Sequence, residues 1–237
     1  PGTPKGDGLC YTHAQKIGAK SDDHEAAFNP HPSSDSFTTY NTSMWNYADQ
    51  SMGTTDKCKV WYLKNHSTVN ANLSLGQGRG LRMLMSDQPC RANPAGCHGA
   101  KMAADHVQSV DHRLYGDYEL TMRAPYTLSG DGSTCAKGIY AYFTAGYTNT
   151  HGKWNEMNFG FHPDRDDGGT KVSCEHHDDT GGYHESSYQV GFNYRGTFAT
   201  WIIRLRKEGI TWLVKKDGAA ARTLHHASAK LTEPMHT

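Results

Sequence analysis

The sequence predicts an all-β protein built as a two-sheet antiparallel β-sandwich. Glycine is abundant, at 25 of 237 residues, aromatic residues are plentiful, and no long segment has helical periodicity. Short strand-like segments instead alternate with turn signals, a spacing typical of sandwiches. We predict one domain over residues 1–237, with a core at about 35–218 and polar terminal extensions that wrap the outside or fray.

Two segments carry the clearest strand patterns. "YGDYELTMRAP" (115–125) alternates, which places Tyr118, Leu120 and Met122 on one face of a strand. "GIYAYFTAGY" (138–147) is a nearly continuous apolar and aromatic run. Such a run is typical of a strand buried between two sheets.

The later part of the chain contains a hairpin and a polar region. "TWIIRLRKEGITWLVKKDG" (200–218) has two apolar arms around a turn at 207–209, and we assign Trp201 and Trp212 to the core. "GGTKVSCEHHDDTGGYHESS" (168–187) is a polar strand-and-loop region.

Charge and cysteine usage restrict the cell compartment and the partners. The 24 basic and 24 acidic residues balance, so nothing favours nucleic acid or an anionic membrane. No apolar run reaches the roughly 20 residues that span a bilayer. The six cysteines form no CxxC pair and suit disulfides in an oxidising compartment. Cys90 and Cys97 flank the turn-forming "RANPAG" and are predicted to pair.

Three glycosylation sequons point to the same compartment. They begin at Asn41, Asn65 and Asn72. The sequence begins at Pro1 rather than Met, and we expect that a signal peptide has been removed. The predicted location is therefore secreted, extracellular or in a cell wall.

Several segments, in order along about residues 35–218, resemble glycoside hydrolase family 16. "DSFTTYNTSMWNYAD" (35–49) is similar to the opening segment of the family, and "VNANLSLGQGRGLRMLMS" (69–86) to the hairpin that follows. "YGDYELTMRAP", "GIYAYFTAG" and the 200–218 hairpin are similar to later strands, and "KWNEMNFGF" (153–161) to the catalytic strand. The resemblance implies a concanavalin-like jelly roll with an open cleft for a β-linked polysaccharide.

The resemblance also identifies a departure in the catalytic strand. A retaining glycosidase needs two carboxyl groups about 5–5.5 Å apart. The family places them at i and i+4 of one strand, where alternate residues share a face. Here these positions hold Glu156 and Gly160, with Asn158 between them. The nucleophile position is kept and the acid/base position has no side chain. General acid catalysis contributes about 10²–10⁴ in rate, so we expect weak or lost hydrolysis.

Other residues could bind sugar or replace the acid. His162 shares the face of Glu156 but lies about 20 Å from it along an extended strand. By analogy with the xyloglucan-active branch, "EHHDD" (175–179) lies in the neighbouring strand and loop. The candidate substrate-binding residues are Tyr142, Tyr147, Trp154, His162, Glu175 and His177. For the three aromatic residues, core packing is an equal alternative to stacking on sugar rings.

A metal site is the less favoured interpretation of the histidines. "EHHDD" with His184 and Glu185 offers imidazole and carboxylate ligands. However, no HxH or HxxxH spacing fixes two ligands on one face, so a solvated polar loop is preferred. We predict no metal or cofactor in the site and leave open a structural calcium at the "HPDRDDGG" loop (162–169).

The leading hypothesis is a secreted carbohydrate-binding protein that holds a β-linked glucan or galactan. The first alternative is an active endo-glycosidase or transglycosylase with a displaced acid. The second is a structural protein of a surface or matrix. The expected partner is a polysaccharide or oligosaccharide, with neither nucleic acid nor membrane insertion.

Overall fold

A computed structural model describes most of the chain, in twelve ranges. They are residues 8–13, 35–47, 60–62, 68–72, 78–86, 88–100, 102–110, 115–124, 141–148, 155–162, 165–178 and 182–229. The strands in these ranges are β1 (Gly8–His13), β2 (Trp45–Tyr47), β3 (Val60–Tyr62), β4 (Thr68–Asn72), β5 (Arg79–Ser86), β6 (Met102–Ala104), β7 (Val107–Ser109), β8 (Gly116–Arg123), β9 (Ala141–Thr148), β10 (Asn155–Phe161), β11 (Lys171–His177), β12 (Tyr183–Gln189), β13 (Ala199–Arg206), β14 (Gly209–Lys216) and β15 (Arg222–Ala227). Their one helix is α1 (Gln88–Ala92), and none of the described residues forms a helix long and apolar enough to cross a membrane.

The strands form two larger sheets and one small one. The first has the order β15-β14-β13-β8-β1-β5-β6-β3, with β4 on β5, and the second has the order β12-β11-β10-β9. β2 and β7 form the small sheet. Among these pairs β3 and β6 are parallel and the others are antiparallel. The predicted class, an antiparallel all-β sandwich, is confirmed.

The main core lies between the two larger sheets. Phe159 and Phe161 of β10 are fully buried and meet the edge of the Trp201 ring at centroid distances of 5.2 and 4.8 Å. Trp201 and Trp212 have no exposed surface, as the hairpin pattern predicted. The predicted strand face of Tyr118, Leu120 and Met122 also packs against this core.

The predicted hairpin forms with its turn at 207–208. Arg206 pairs with Gly209 at the end of the β13–β14 ladder. Gly209 has φ +144° and lies so close to the backbone oxygen of Ala227 that a Cβ atom there would overlap it. Only glycine satisfies both conditions, and this allows β15 to pair closely with β14.

Both terminal segments contribute strands, although the predicted core of 35–218 excludes them. β1 pairs with β5 on one side and β8 on the other, and β15 pairs with β14. These strands are six residues long, too short for alternation to distinguish them from a polar extension. The partners of β1 are distant in sequence, which a local pattern does not show, whereas β15 pairs with the strand directly before it.

Two other local predictions are confirmed. β4 pairs antiparallel with β5 as the predicted hairpin requires. Cys90 and Cys97 form a disulfide. Within the described part of the chain, Cys174 is instead a free, buried thiol in the core.

Candidate functional site

β10 separates an apolar face from a polar one. Met157, Phe159 and Phe161 are fully buried in the core. Because side chains alternate along a strand, Glu156 and Asn158 project from the opposite side of the four-stranded sheet, together with position 160. We call this side, which is turned away from the core, the outer face.

The pairing of β11 and β12 adds further polar residues to the outer face. β11 pairs with β10 through Glu156–His177, Asn158–Glu175 and Gly160–Ser173. β12 continues the same rows with Tyr183–His177, Glu185–Glu175 and Ser187–Ser173. Directly paired residues project to the same side, so three strands together build the outer face.

Position 160 is not an empty place, although Gly160 itself has no side chain there. A Cβ atom on Gly160 would overlap the Glu175 carboxylate and lie 2.5 Å from His162 Nε2. His162 Nε2 and Glu175 Oε1 are 2.8 Å apart, and the two side chains are 8 % and 2 % exposed. A buried carboxylate and imidazole from other positions therefore fill the space that a side chain at 160 would need.

Glu156 and Asn158 are directly linked. Asn158 Nδ2 donates to Glu156 Oε1 at 2.5 Å, and Glu156 is partly exposed whereas Asn158 is buried. The backbone oxygen of Asn158 accepts a hydrogen bond of 2.8 Å from Trp212 Nε1. This bond crosses the core and fixes β10 against β14, and with it the position of both side chains.

Glu185 is a third carboxylate on the outer face. Its Oε1 accepts from Ser173 Oγ at 2.8 Å and lies 2.9 Å from Arg165 Nη2, while Oε2 accepts from Tyr183 Oη at 3.1 Å. Burial alone would raise the pKa of Glu185, but these donors outweigh it and lower the pKa. For Tyr183 the effects add, because burial and the Glu175 and Glu185 carboxylates all raise its pKa.

The other predicted binding residues have varied outcomes. His177 is half-buried with its ring 4.8 Å from that of Tyr183. Tyr142 and Tyr147 lie in β9, paired with Gly160 and Glu156, and Trp154 lies outside the described residues. Which aromatic residues stack on sugar stays a prediction.

Sequence reasoning missed Tyr183 as an outer-face residue. Tyr183 is 50 % exposed. It lies on the same side of β12 as Glu185 and Ser187. That alternation in "YHESSYQ" was the available signal, once this segment was assigned to a strand beside β11.

The "EHHDD" run divides between the two faces. Glu175 and His177 belong to the outer face, whereas His176 lies on the core face, with its ring 5.9 Å from Trp212 and 4.6 Å from His184. Burial lowers the pKa of His176 to about 4, and the neighbouring His184 adds to this decrease. His176 is therefore a neutral core residue and not an outer-face ligand.

The loop expected to offer calcium ligands uses its buried acid differently. Asp166 is 2 % exposed and accepts from Arg195 Nη2 at 2.6 Å and from Tyr194 Oη at 2.6 Å. An arginine and a tyrosine thus occupy oxygens that a calcium ion would need. A calcium site in this loop stays an untested prediction.

The asparagines of two of the three sequons lie in described segments. Asn41 is partly exposed and its Oδ1 accepts from Ser43 Oγ at 2.7 Å, while Asn72 is exposed at the end of β4. Asn65 lies outside the described residues. Glycosylation at these sites stays a prediction.

Comparison with solved structures identifies relatives of the fold. A β-glucanase of Bacillus licheniformis aligns with a TM-score of 0.63 at 21 % identity, over 94 % of this chain and 82 % of that one. A β-1,3-1,4-glucanase (lichenase) from a mouse hindgut metagenome aligns with a TM-score of 0.64 at 18 % identity, over 84 % of this chain and 80 % of that one. A family 16 endo-glucanase from Bacteroides ovatus aligns with a TM-score of 0.58 at 14 % identity, over 82 % of this chain and 77 % of that one.

Sequence comparison gives no corresponding match. Neither a protein-family model nor a curated protein matches the chain. The likeness therefore rests on the arrangement of the strands, which agrees with the resemblance of the sequence motifs. The chain has the β-sandwich fold of the glycoside hydrolase family 16 β-glucanases.

Proposed function

We propose that the protein binds a β-linked glucan or galactan along the outer face of β10, β11 and β12. The observation that carries this proposal is the combination of polar and aromatic groups on that face. Glu156 and Glu185 are partly exposed carboxylates and offer oxygen acceptors of the kind that sugar hydroxyls need. Tyr183 offers a half-exposed ring beside them, and aromatic rings with a polar tip are common in binding sites.

The fold relatives support this choice of ligand. The names of these relatives describe glucanases, and one non-specific endo-β-1,3(4)-glucanase of the same fold, at 12 % identity and a TM-score of 0.59, holds a glucan oligosaccharide at its active site. Our proposal assigns the same class of polymer to this chain, with the outer face as its cleft. We also propose that the protein is secreted, on the evidence of its disulfide and sequons.

Hydrolysis through the family's pair of carboxylates is proposed to be weak or lost. β10 supplies Glu156 but no second carboxylate at 160. Glu175, which fills that space, is 2 % exposed and bonded to His162. An acid must reach the glycosidic oxygen to protonate it, and a buried, engaged carboxylate does not do so without rearrangement.

A displaced acid is the second candidate, and one observation favours it. Glu175 is the diagonal neighbour of Glu156 in the β10–β11 ladder, and such neighbours lie about 7–8 Å apart at Cα. That spacing is much shorter than the roughly 13 Å between i and i+4 on one strand. If Glu175 became exposed when substrate bound, the two carboxylates could form a retaining pair.

One set of experiments separates these functions. Purified protein is tested on a glycan array, and its release of reducing ends from laminarin, lichenan, agar and xyloglucan is measured. We expect binding without release, and weaker binding for Tyr183→Ala. The matched control is Tyr40→Ala, because Tyr40 is similarly exposed, at 44 %, and belongs to none of the three strands that build the outer face.

Each result supports one function. Release of reducing ends that both Glu156→Gln and Glu175→Gln abolish would establish the displaced acid. Glu208→Gln is the control there, since Glu208 lies exposed in the β13–β14 turn. If no glycan binds and a protein partner copurifies, the structural role replaces both proposals.

A further inference from the structure

Three metal-ligating side chains converge on the outer face. They are His162, directly after β10, Glu175 of β11 and Glu185 of β12, and one ligand atom from each lies within 4.8 Å of the others. His162 and Glu175 are 8 % and 2 % exposed, and Glu185 is 21 % exposed. The burial of His162 and Glu175 distinguishes the cluster from solvated acidic residues, which commonly gather on protein surfaces without binding an ion.

The spacing fits a single small cation. Zinc binds imidazole nitrogen at about 2.0–2.1 Å and carboxylate oxygen at about 2.0–2.2 Å. Two ligands of one tetrahedral ion are therefore about 3.4 Å apart. His162 Nε2 and Glu175 Oε1, at 2.8 Å, would separate slightly, and Glu185 would move inward by about an ångström. The positions are set by paired strands, which makes the site largely preformed.

Asn158 provides an independent observation. Its side chain is buried, and among the residues described its Oδ1 has no hydrogen-bond partner. Asn158 pairs directly with Glu175, so both project to the outer face. Because Nδ2 is engaged by Glu156, Oδ1 is the amide atom of Asn158 that is left for another partner. A buried acceptor without a donor is unfavourable, and a cation would satisfy it.

The charge around the cluster also favours a cation. Three carboxylates, those of Glu156, Glu175 and Glu185, belong to this part of the outer face, and a concentration of one sign of charge attracts counter-ions. Arg165 opposes them through its contact of 2.9 Å with Glu185, but its side chain is 49 % exposed and can leave toward solvent. Gly160 is part of the arrangement, because any Cβ atom there would displace Glu175 and His162.

We propose that His162, Glu175 and Glu185 bind a divalent transition metal ion of the zinc type, with Asn158 Oδ1 facing the ion directly or through water. The imidazole ligand selects zinc-like ions over calcium and magnesium, which prefer oxygen ligands throughout. This inference does not rest on carbohydrate binding, since the ligands, their burial and the unsatisfied amide are independent of any sugar.

Titration calorimetry with ZnCl₂ on chelator-treated, full-length protein at pH 7 tests the site. We expect one zinc site, with affinity reduced at least tenfold in Glu175→Gln and Glu185→Gln. Millimolar CaCl₂ should not displace the zinc. Arg165→Gln should raise the affinity several-fold, because it removes the cation that competes for Glu185. A merely destabilising substitution would not produce this gain.

Surface histidines are the main source of misleading binding, since the chain has fifteen histidines. His184→Gln is the matched control, because His184 is 57 % exposed and lies 3.4 Å from Asp178. Wild-type affinity in this variant supports the proposal, and loss of the zinc site in it overturns the proposal. Equal zinc affinity in wild type, Glu185→Gln and Arg165→Gln overturns it as well. Glu185 and Arg165 are partly exposed, so we expect their variants to fold. The test therefore remains decisive even if the Glu175→Gln variant fails to fold.

Discussion

The two faces of β10 and β11 differ in what they determine. On the core face, Met157, Phe159 and Cys174 are apolar and almost fully buried. On the outer face, Glu156, Asn158 and their partners in β11 and β12 are polar and bonded to one another. The two sets alternate residue by residue. The core face determines the sandwich, so a chain can share this fold with a β-glucanase at 21 % identity.

Removing an aromatic ring from each face gives the largest test of this difference. Phe159→Ala should lower the free energy of unfolding by about 3–5 kcal/mol, because Phe159 has no exposed surface and packs on Trp201. Tyr183→Ala, on the outer face, should change it by less than about 1 kcal/mol, since half of that side chain is exposed. Urea unfolding monitored by circular dichroism measures both. A comparable loss for the two variants would contradict the division.

Adding a methyl group at position 160 tests how the outer face is filled. Gly160→Ala should lower the free energy of unfolding by about 1–3 kcal/mol, because the new Cβ overlaps the Glu175 carboxylate. For the same reason, Gly160→Glu is not expected to restore a catalytic pair by itself.

The matched test is a double-mutant cycle with Glu175→Ala, which removes the carboxylate that the new Cβ atom at position 160 would overlap. The two substitutions should be non-additive by about 0.5–3 kcal/mol, with the double variant more stable than the sum of the single ones predicts. Additive effects, or a neutral Gly160→Ala, would mean that the space beside residue 160 is open.

The sequence determined the core face more fully than the outer face. Alternation and buried aromatics in β8, β10, β13 and β14 are local signals, and they predicted the sandwich, the hairpin and the burial of Trp201 and Trp212. The pairing of β1 with β5 and β8 brings distant segments together, which no local pattern encodes.

The filling of position 160 is also non-local. It depends on the register in which Asn158 faces Glu175 and on the turn of His162 back toward that carboxylate. Neither follows from spacing within one strand. The same holds for Glu185, which reaches the outer face only because β12 pairs with β11 in this register.

The smallest expected effect concerns the pH dependence of stability. His176 places a titratable group on the core face, directly after Glu175 on the outer face. Burial lowers its pKa in the native protein to about 4, below the value of about 6.5 for an unfolded chain. Between these values the unfolded state binds more protons, so stability is complete above about pH 6.5 and falls as the pH decreases toward 4. Between pH 7 and pH 5 this one group should account for a loss of about 1–2 kcal/mol.

Urea unfolding at several pH values measures this contribution. In His176→Phe the loss should shrink, since a neutral ring keeps the packing against Trp212 without the proton. Part of the pH dependence should remain, because burial also lowers the pKa of His106 and His225. His184→Gln, at an exposed neighbour, should keep most of the wild-type response. If His176→Phe shows the full response, the core face tolerates a charged imidazole, and the contrast with the outer face is a matter of composition and not of physical constraint.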